Sequence, residues 1–254
     1  MKKVSVFLIT VFVYFTSWGQ NAHSLLRDTS LITFEHFLYD SIFYGMQIHK
    51  DTTEQRILLI GDSMVGGLAY PMNAYCFYNG HKFLAVSWES ANTKWFARTD
   101  TLQYFIKKFQ PTFIFILLGA NEVFYGKNYE NKRGNDLKKI IQILDSVNIP
   151  YVWIGPPNWN YDTLINQVLR KYLGKDKFFA TYKISLYNKR FRRWSDHIHP
   201  AFIGDSLIMD SLAYWISTKS LYPIKLTKPE RSFLPPRKNL IILHPLSRKK
   251  RRRL

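Results

Sequence analysis

Four short stretches of this chain are almost wholly apolar, and helical spacing follows each of them. The stretches are residues 56–60, 83–88, 112–118 and 151–154. A strand with one wet face alternates apolar and polar residues, whereas a strand covered on both faces does not. These runs do not alternate, so each predicts a strand buried on both sides. Between them, residues 99–109 (Leu102, Phe105, Ile106, Phe109) and 135–147 (Leu137, Ile140, Ile141, Leu144) place apolar side chains on one helical face. Residues 71–77, 162–173 and 202–216 predict further helices, and residues 178–182 a short fifth strand. Strand–helix alternation with buried strands is the pattern of an α/β chain with a parallel sheet. In such sheets, sites form outside the carboxyl ends of the strands.

The ends of the chain read differently. Lys2 and Lys3 precede a mostly apolar stretch, and Ser17 and Gly19 are small residues in position for a signal-peptidase cut. Residues 1–19 therefore read as a signal peptide rather than a membrane span, which needs ~20 apolar residues, with an uncleaved N-terminal anchor as the alternative, and the protein as exported, periplasmic or secreted. Residues 20–55 form a leading segment whose aromatic cluster (Phe34, Phe37, Tyr39, Phe43, Tyr44) suggests a short helix. The central domain spans 56–218, and 219–254 reads as a basic, disordered tail ending in six consecutive Lys or Arg at 248–253.

The formal charge of +18 invites a nucleic-acid reading. Its distribution weakens that reading, because residues 225–254 alone carry eleven Lys or Arg against one acid, Glu230. No specific nucleic-acid partner is expected, only weak contact of the tail with an anionic envelope surface. Cys76 is the only cysteine, which excludes an intramolecular disulfide and a cysteine metal site. No metal or other cofactor is expected, and the chain is read as a monomer.

Three short motifs carry chemistry. Gly61-Asp62-Ser63 follows the first strand and puts a hydroxyl near a helix start, where a backbone N–H can face a developing oxyanion. Gly119-Ala120-Asn121-Glu122 follows the third strand, and the Asn121 amide is a second donor. Asp196-His197-Ile198-His199 precedes the last helix. A serine needs a base, histidine is the base nearest neutrality, and a carboxylate fixes its tautomer. The three-residue spacing favours His199 over His197 as the partner of Asp196. Taken singly, the first motif fits a helix cap or turn better, and the other two fit a turn or a solvated polar loop equally well.

In this order the motifs resemble those of the SGNH hydrolase superfamily, the GDSL-type lipases and esterases, over roughly residues 56–218. The resemblance implies a three-layer α/β/α flavodoxin-like sheet and ester hydrolysis through an acyl-serine on Ser63. Asp196 and His199 would complete the triad, and Asn121 would serve the oxyanion hole. The family's second block usually supplies a glycine N–H to that hole. Here the segment is Ser87-Trp88-Glu89-Ser90-Ala91-Asn92, without glycine. Ser90 is assigned the role through its backbone, with Asn92 the weaker candidate. Trp88 and Trp159, beside strand ends, are expected to face a sugar ring, and the expected substrate is a small acyl ester, acetyl above all, on a glycan. Two alternatives share the fold: an O-acetyltransferase using the same triad, and an inactive glycan-binding module.

Overall fold

The structure, a computed structural model, describes residues 50–159, 164–237 and 239–245. The expected signal peptide, the helix over 34–44 and the basic run 248–253 lie outside the described residues. Among the described residues, no helix is long and apolar enough to cross a membrane.

Among the described residues, six strands form one parallel sheet: β1 (Arg56–Gly61), β2 (Lys82–Trp88), β3 (Phe113–Leu117), β4 (Tyr151–Ile154), β5 (Phe178–Phe179) and β6 (Leu240–Leu243), in the order β5-β4-β3-β1-β2-β6. The helices between them are α1 (Met64–Tyr78), α2 (Thr93–Arg98), α3 (Thr101–Phe109), α4 (Tyr129–Ser146), α5 (Ile165–Leu173), α6 (Tyr182–Tyr187) and α7 (Phe202–Thr218). Alternate side chains of each strand point to opposite faces. Ile57, Leu59, Phe83, Ala85, Phe113 and Phe115 pack against α1 and α7. Leu58, Ile60, Leu84, Val86, Ile114 and Ile116 pack against α2, α3, α4 and α5. The sheet is thus the middle of three α/β/α layers, as expected. A buried leucine such as Leu59 contributes about 2–5 kcal/mol against alanine.

Three expectations need correction. Helix α1 runs from Met64, not from Pro71. Gly66, Gly67 and Pro71 lower its intrinsic propensity, but Val65, Leu68, Ala69, Met72 and Cys76 on its inner face are buried, and that packing prevails. The fifth strand is two residues long, because Thr181 already begins the next helix. The expected tail is part of the domain through residue 245. Asp51 N–H donates to Pro223 O, Lys225 N–H to Asp51 O, and Asn73 Nδ2 to Pro236 O, each at 2.9 Å. Leu240–Leu243 then pairs with Ala85–Trp88 as β6. The charge of 225–254 obscured a four-residue apolar run.

Candidate active site

Register brings the motif loops together. Gly61 pairs with Ser87 on one side and with Leu117 on the other. The chains leaving β1, β2 and β3 therefore emerge side by side at the carboxyl edge, with Ser63, Ser90 and Asn121 just beyond. Gly61 is required there by space: a Cβ would lie 1.7 Å from the Leu117 carbonyl oxygen. The Asp62 N–H donates to that same oxygen at 3.0 Å. Ser63 follows as the N-cap of α1, with its side chain free of any capping bond.

Ser63 Oγ lies 2.9 Å from His199 Nε2, and His199 Nδ1 lies 2.6 Å from Asp196 Oδ2. A carboxylate beside Nδ1 holds the proton there, which leaves Nε2 as acceptor for the serine hydroxyl. Asp196 Oδ1 also accepts from the backbone N–H groups of Ile198 (2.9 Å) and His199 (3.0 Å). The His199 hydrogen bond first, then the Ile198 N–H, holds the Asp196 carboxyl down at about 2. Asp196 is therefore an anion at any working pH, suited to an imidazolium partner. His197, with φ of 58°, donates its N–H to Trp194 O and takes no part in the relay.

The donors expected for an oxyanion stand beside this relay. Asn121 Nδ2 gives one hydrogen to Ala91 O at 2.8 Å and keeps a second. Ser90 is exposed and holds φ at 58°, a left-handed backbone that glycine adopts freely and other residues at a cost of about 1–2 kcal/mol. A backbone conformation that glycine favours is thus held here by a serine. Asn92, the weaker candidate, caps α2, its side-chain oxygen accepting from Trp95 N–H at 3.1 Å.

Two buried acids that the motifs did not single out for chemistry lock these loops to one another. Asp62 Oδ2 accepts from Gly119 N–H and Ala120 N–H, both at 3.0 Å, and Oδ1 from Met64 N–H at 3.1 Å. It joins the turn of Ser63 to the turn of Asn121. Burial raises its carboxyl to about 6 in spite of these donors. Glu122 accepts from Thr93 N–H (3.0 Å), Thr93 Oγ1 (2.8 Å) and Arg133 Nε (2.7 Å), which joins the Asn121 turn to the segment after Ser90.

Arg193, which lies outside the motifs, is a third residue that locks the loops. Its guanidinium donates to the carbonyls of Ile198, Pro157 and Asn158. It clamps the loop that carries His199 to the loop after β4. Behind these loops is a small cavity, with room for about one water, walled by Met64, Leu68, Leu117, Ile154, Pro200 and Asp205 among others. Burial alone pushes the Asp205 carboxyl up to about 8.

The expected aromatic platform changes. Trp88 is 3% exposed, donates its indole N–H to His244 O, and packs on Trp95 and Phe96 at 5.4 Å each. It is core and offers no face to a ligand. Trp159 is half-buried against both sides of the sheet, next to the Asn158 carbonyl that Arg193 holds. Among the described residues, no cluster of three or more His, Cys, Asp or Glu is arranged to hold a metal ion.

No family model matches the chain, and no curated protein matches it. Solved structures do. One is an α/β hydrolase enzyme from the metagenome of Lake Arreo, Spain, at 12% identity over 64% of this chain and 96% of that one, with a TM-score of 0.49. A psychrotrophic esterase from Pseudoalteromonas sp. follows at 17% identity over 64% and 98%, with 0.47. A GDSL-like lipase from Bacteroides thetaiotaomicron follows at 16% identity over 68% and 95%, with 0.44. At these identities, the site rests on this chain's own geometry.

Proposed function

We propose that the protein hydrolyses esters through an acyl-serine intermediate on Ser63. The observation that carries this reading is the Ser63–His199–Asp196 relay, with contacts of 2.9 and 2.6 Å, at the carboxyl edge of a parallel sheet. His199 Nε2 takes the Ser63 hydroxyl proton as Oγ attacks the ester carbonyl carbon. The carbonyl oxygen becomes an oxyanion, stabilised by the N–H of Ser63, the Nδ2–H of Asn121 and the N–H of Ser90. The intermediate collapses, the bond to the leaving alcohol breaks, and His199 returns the proton to that alcohol. Water, deprotonated by His199, then attacks the acyl-serine, and collapse releases the carboxylic acid and restores Ser63. Asp196 stabilises the imidazolium in both halves.

Within that reading, we assign the substrate as a small acyl ester, such as acetyl, carried on a carbohydrate, and place the reaction outside the cytoplasm. Residues 1–19 support the location. Trp159 remains as support for a sugar contact, and Trp88 no longer contributes. The test is labelling by a fluorophosphonate, together with turnover of a short-chain aryl ester and a panel of acetylated sugars. Wild type should label and turn over. Ser63→Ala should not label and should lose about 10⁵–10⁶-fold in kcat. Undiminished cleavage by pure Ser63→Ala protein would sink the assignment. An acetylated product on an added sugar acceptor would replace hydrolysis with transfer.

A further inference from the structure

Large apolar side chains scattered singly over a surface need no explanation, but a concentration of them does. Of the thirteen large apolar side chains exposed among the described residues, five fall within residues 187–203: Tyr187, Trp194, Ile198, Phe202 and Ile203, each between 38% and 72% exposed. The same stretch holds Lys189, Arg190, Arg192 and Arg193 against a single acid, Asp196, which His199 occupies. Arg192 and Arg193 turn their guanidinium groups onto backbone carbonyls. Lys189 and Arg190 are exposed and meet no acid among the described residues.

This stretch carries the base of the relay. Arg193 bridges Pro200 antiparallel, and Trp194 N–H donates to His199 O at 3.0 Å, which closes a hairpin with Ile198 in its loop. Helix α7 starts immediately afterwards with Phe202 and Ile203 in its first turn. Trp194, Ile198, Phe202 and Ile203 therefore stand within five residues of His199, and Lys189 and Arg190 lie earlier in the same segment.

Resting on the esterase reading above, we propose that the segment 187–203 docks the active site onto an anionic lipid surface, so that the ester attacked is one presented at that interface. Charge complementarity selects the partner. Lys189 and Arg190 face anionic headgroups, and Trp194 suits the headgroup–acyl boundary. Phe202, Ile198 and Ile203 gain by leaving water for the acyl region. An acidic polysaccharide would satisfy the cations but would give Ile198, Phe202 and Ile203 nothing to bury in.

The test uses the full chain carrying Ser63→Ala, so that no lipid is consumed. It is mixed with phosphatidylcholine vesicles made with and without phosphatidylglycerol, some brominated along the acyl chains. The protein is expected to sediment with the anionic vesicles and to show tryptophan quenching by the brominated lipid. Adding Phe202→Ser and Ile203→Ser should lower partition about tenfold and abolish quenching. Adding Lys189→Glu and Arg190→Glu should lower partition into anionic vesicles about tenfold and leave neutral vesicles unaffected. With Ser63 restored, both double variants should keep wild-type turnover of a soluble aryl ester. That turnover also separates the two ideas: a protein that docks but does not turn over refutes the esterase reading, not the docking. Equal partition of all variants would show that charge elsewhere, such as the run 248–253, accounts for adsorption, and would overturn the proposal. Preference for a soluble acidic polysaccharide over vesicles would overturn it too.

Discussion

Asp205 makes folding stability depend on pH in an unusual direction. Its carboxyl lies in the cavity between α1 and α7, 3% exposed, and accepts no hydrogen bond among the described residues. Burial lifts it from an ordinary 3.8 to about 8. The folded state therefore keeps its proton over a range in which the unfolded chain has lost it. A raised acid of this kind costs stability progressively as pH rises from about 4 to about 8, at close to 1.36 kcal/mol per pH unit. Between pH 5 and pH 8 the cost grows by about 3–4 kcal/mol, the last unit counting less because the folded carboxyl itself begins to ionise. Asp205→Asn keeps the shape and removes the titration. Urea unfolding of both proteins at pH 5, 6, 7 and 8 gives the difference in unfolding free energy at each pH, and every other titrating group cancels in that difference. A constant offset from the substitution itself does not affect the test, since only the slope matters. The variant should gain on wild type by about 3 kcal/mol across the range. A difference that stays flat within 0.5 kcal/mol, a margin of about the usual scatter between independent sites, would refute the reasoning and mean that Asp205 is charged and satisfied in the folded protein.

Removing the Asn121 amide donor should reduce kcat by about 10²–10³ with KM nearly constant, read from steady-state turnover of Asn121→Ala on a soluble ester. Arg193→Gln should lower kcat by misplacing His199 while fluorophosphonate still labels Ser63 slowly, and Arg193→Lys should restore only part, because one ammonium does not span three carbonyls. The thermal midpoint of the Gln variant distinguishes this from general unfolding. Deletion of residues 246–254 should leave stability unchanged, whereas deletion from Lys225 onward should lower the urea midpoint sharply, because it removes β6 and the bonds of Lys225 and Pro236. Equal midpoints for the two truncations would contradict the role given to β6.

The relay was legible because each member stands within a few residues of a strand end or a helix start, where short sequence patterns fix local geometry. The sheet was legible because its strands are apolar on both faces. Trp88 was misassigned although parity could have placed it: Leu84, Val86 and Trp88 share one face of β2, and that face is core. The start of α1 was hidden by Gly66, Gly67 and Pro71, whose local preferences yield to burial. Arg193 was not legible, since two of its carbonyl partners lie 35 and 36 residues away and no pattern announces a backbone acceptor. Asp62 and Glu122 sat inside the motifs, but their contacts with Gly119, Ala120 and Thr93 emerge only when the loops meet.

The pairing of β6 with β2 also bears on the order in which the site is assembled during synthesis. Glu89 N–H donates to Leu243 O at 2.9 Å, and the Trp88 indole donates to His244 O at 3.1 Å. Both acceptors hold the loop that presents Ser90, and both leave the ribosome after every residue of the relay. Ser63, Asn121, Asp196 and His199 are all translated before them. A nascent chain thus carries its nucleophile and base before the outer edge of β2 is covered, and the loop beside Ser90 is fixed after them.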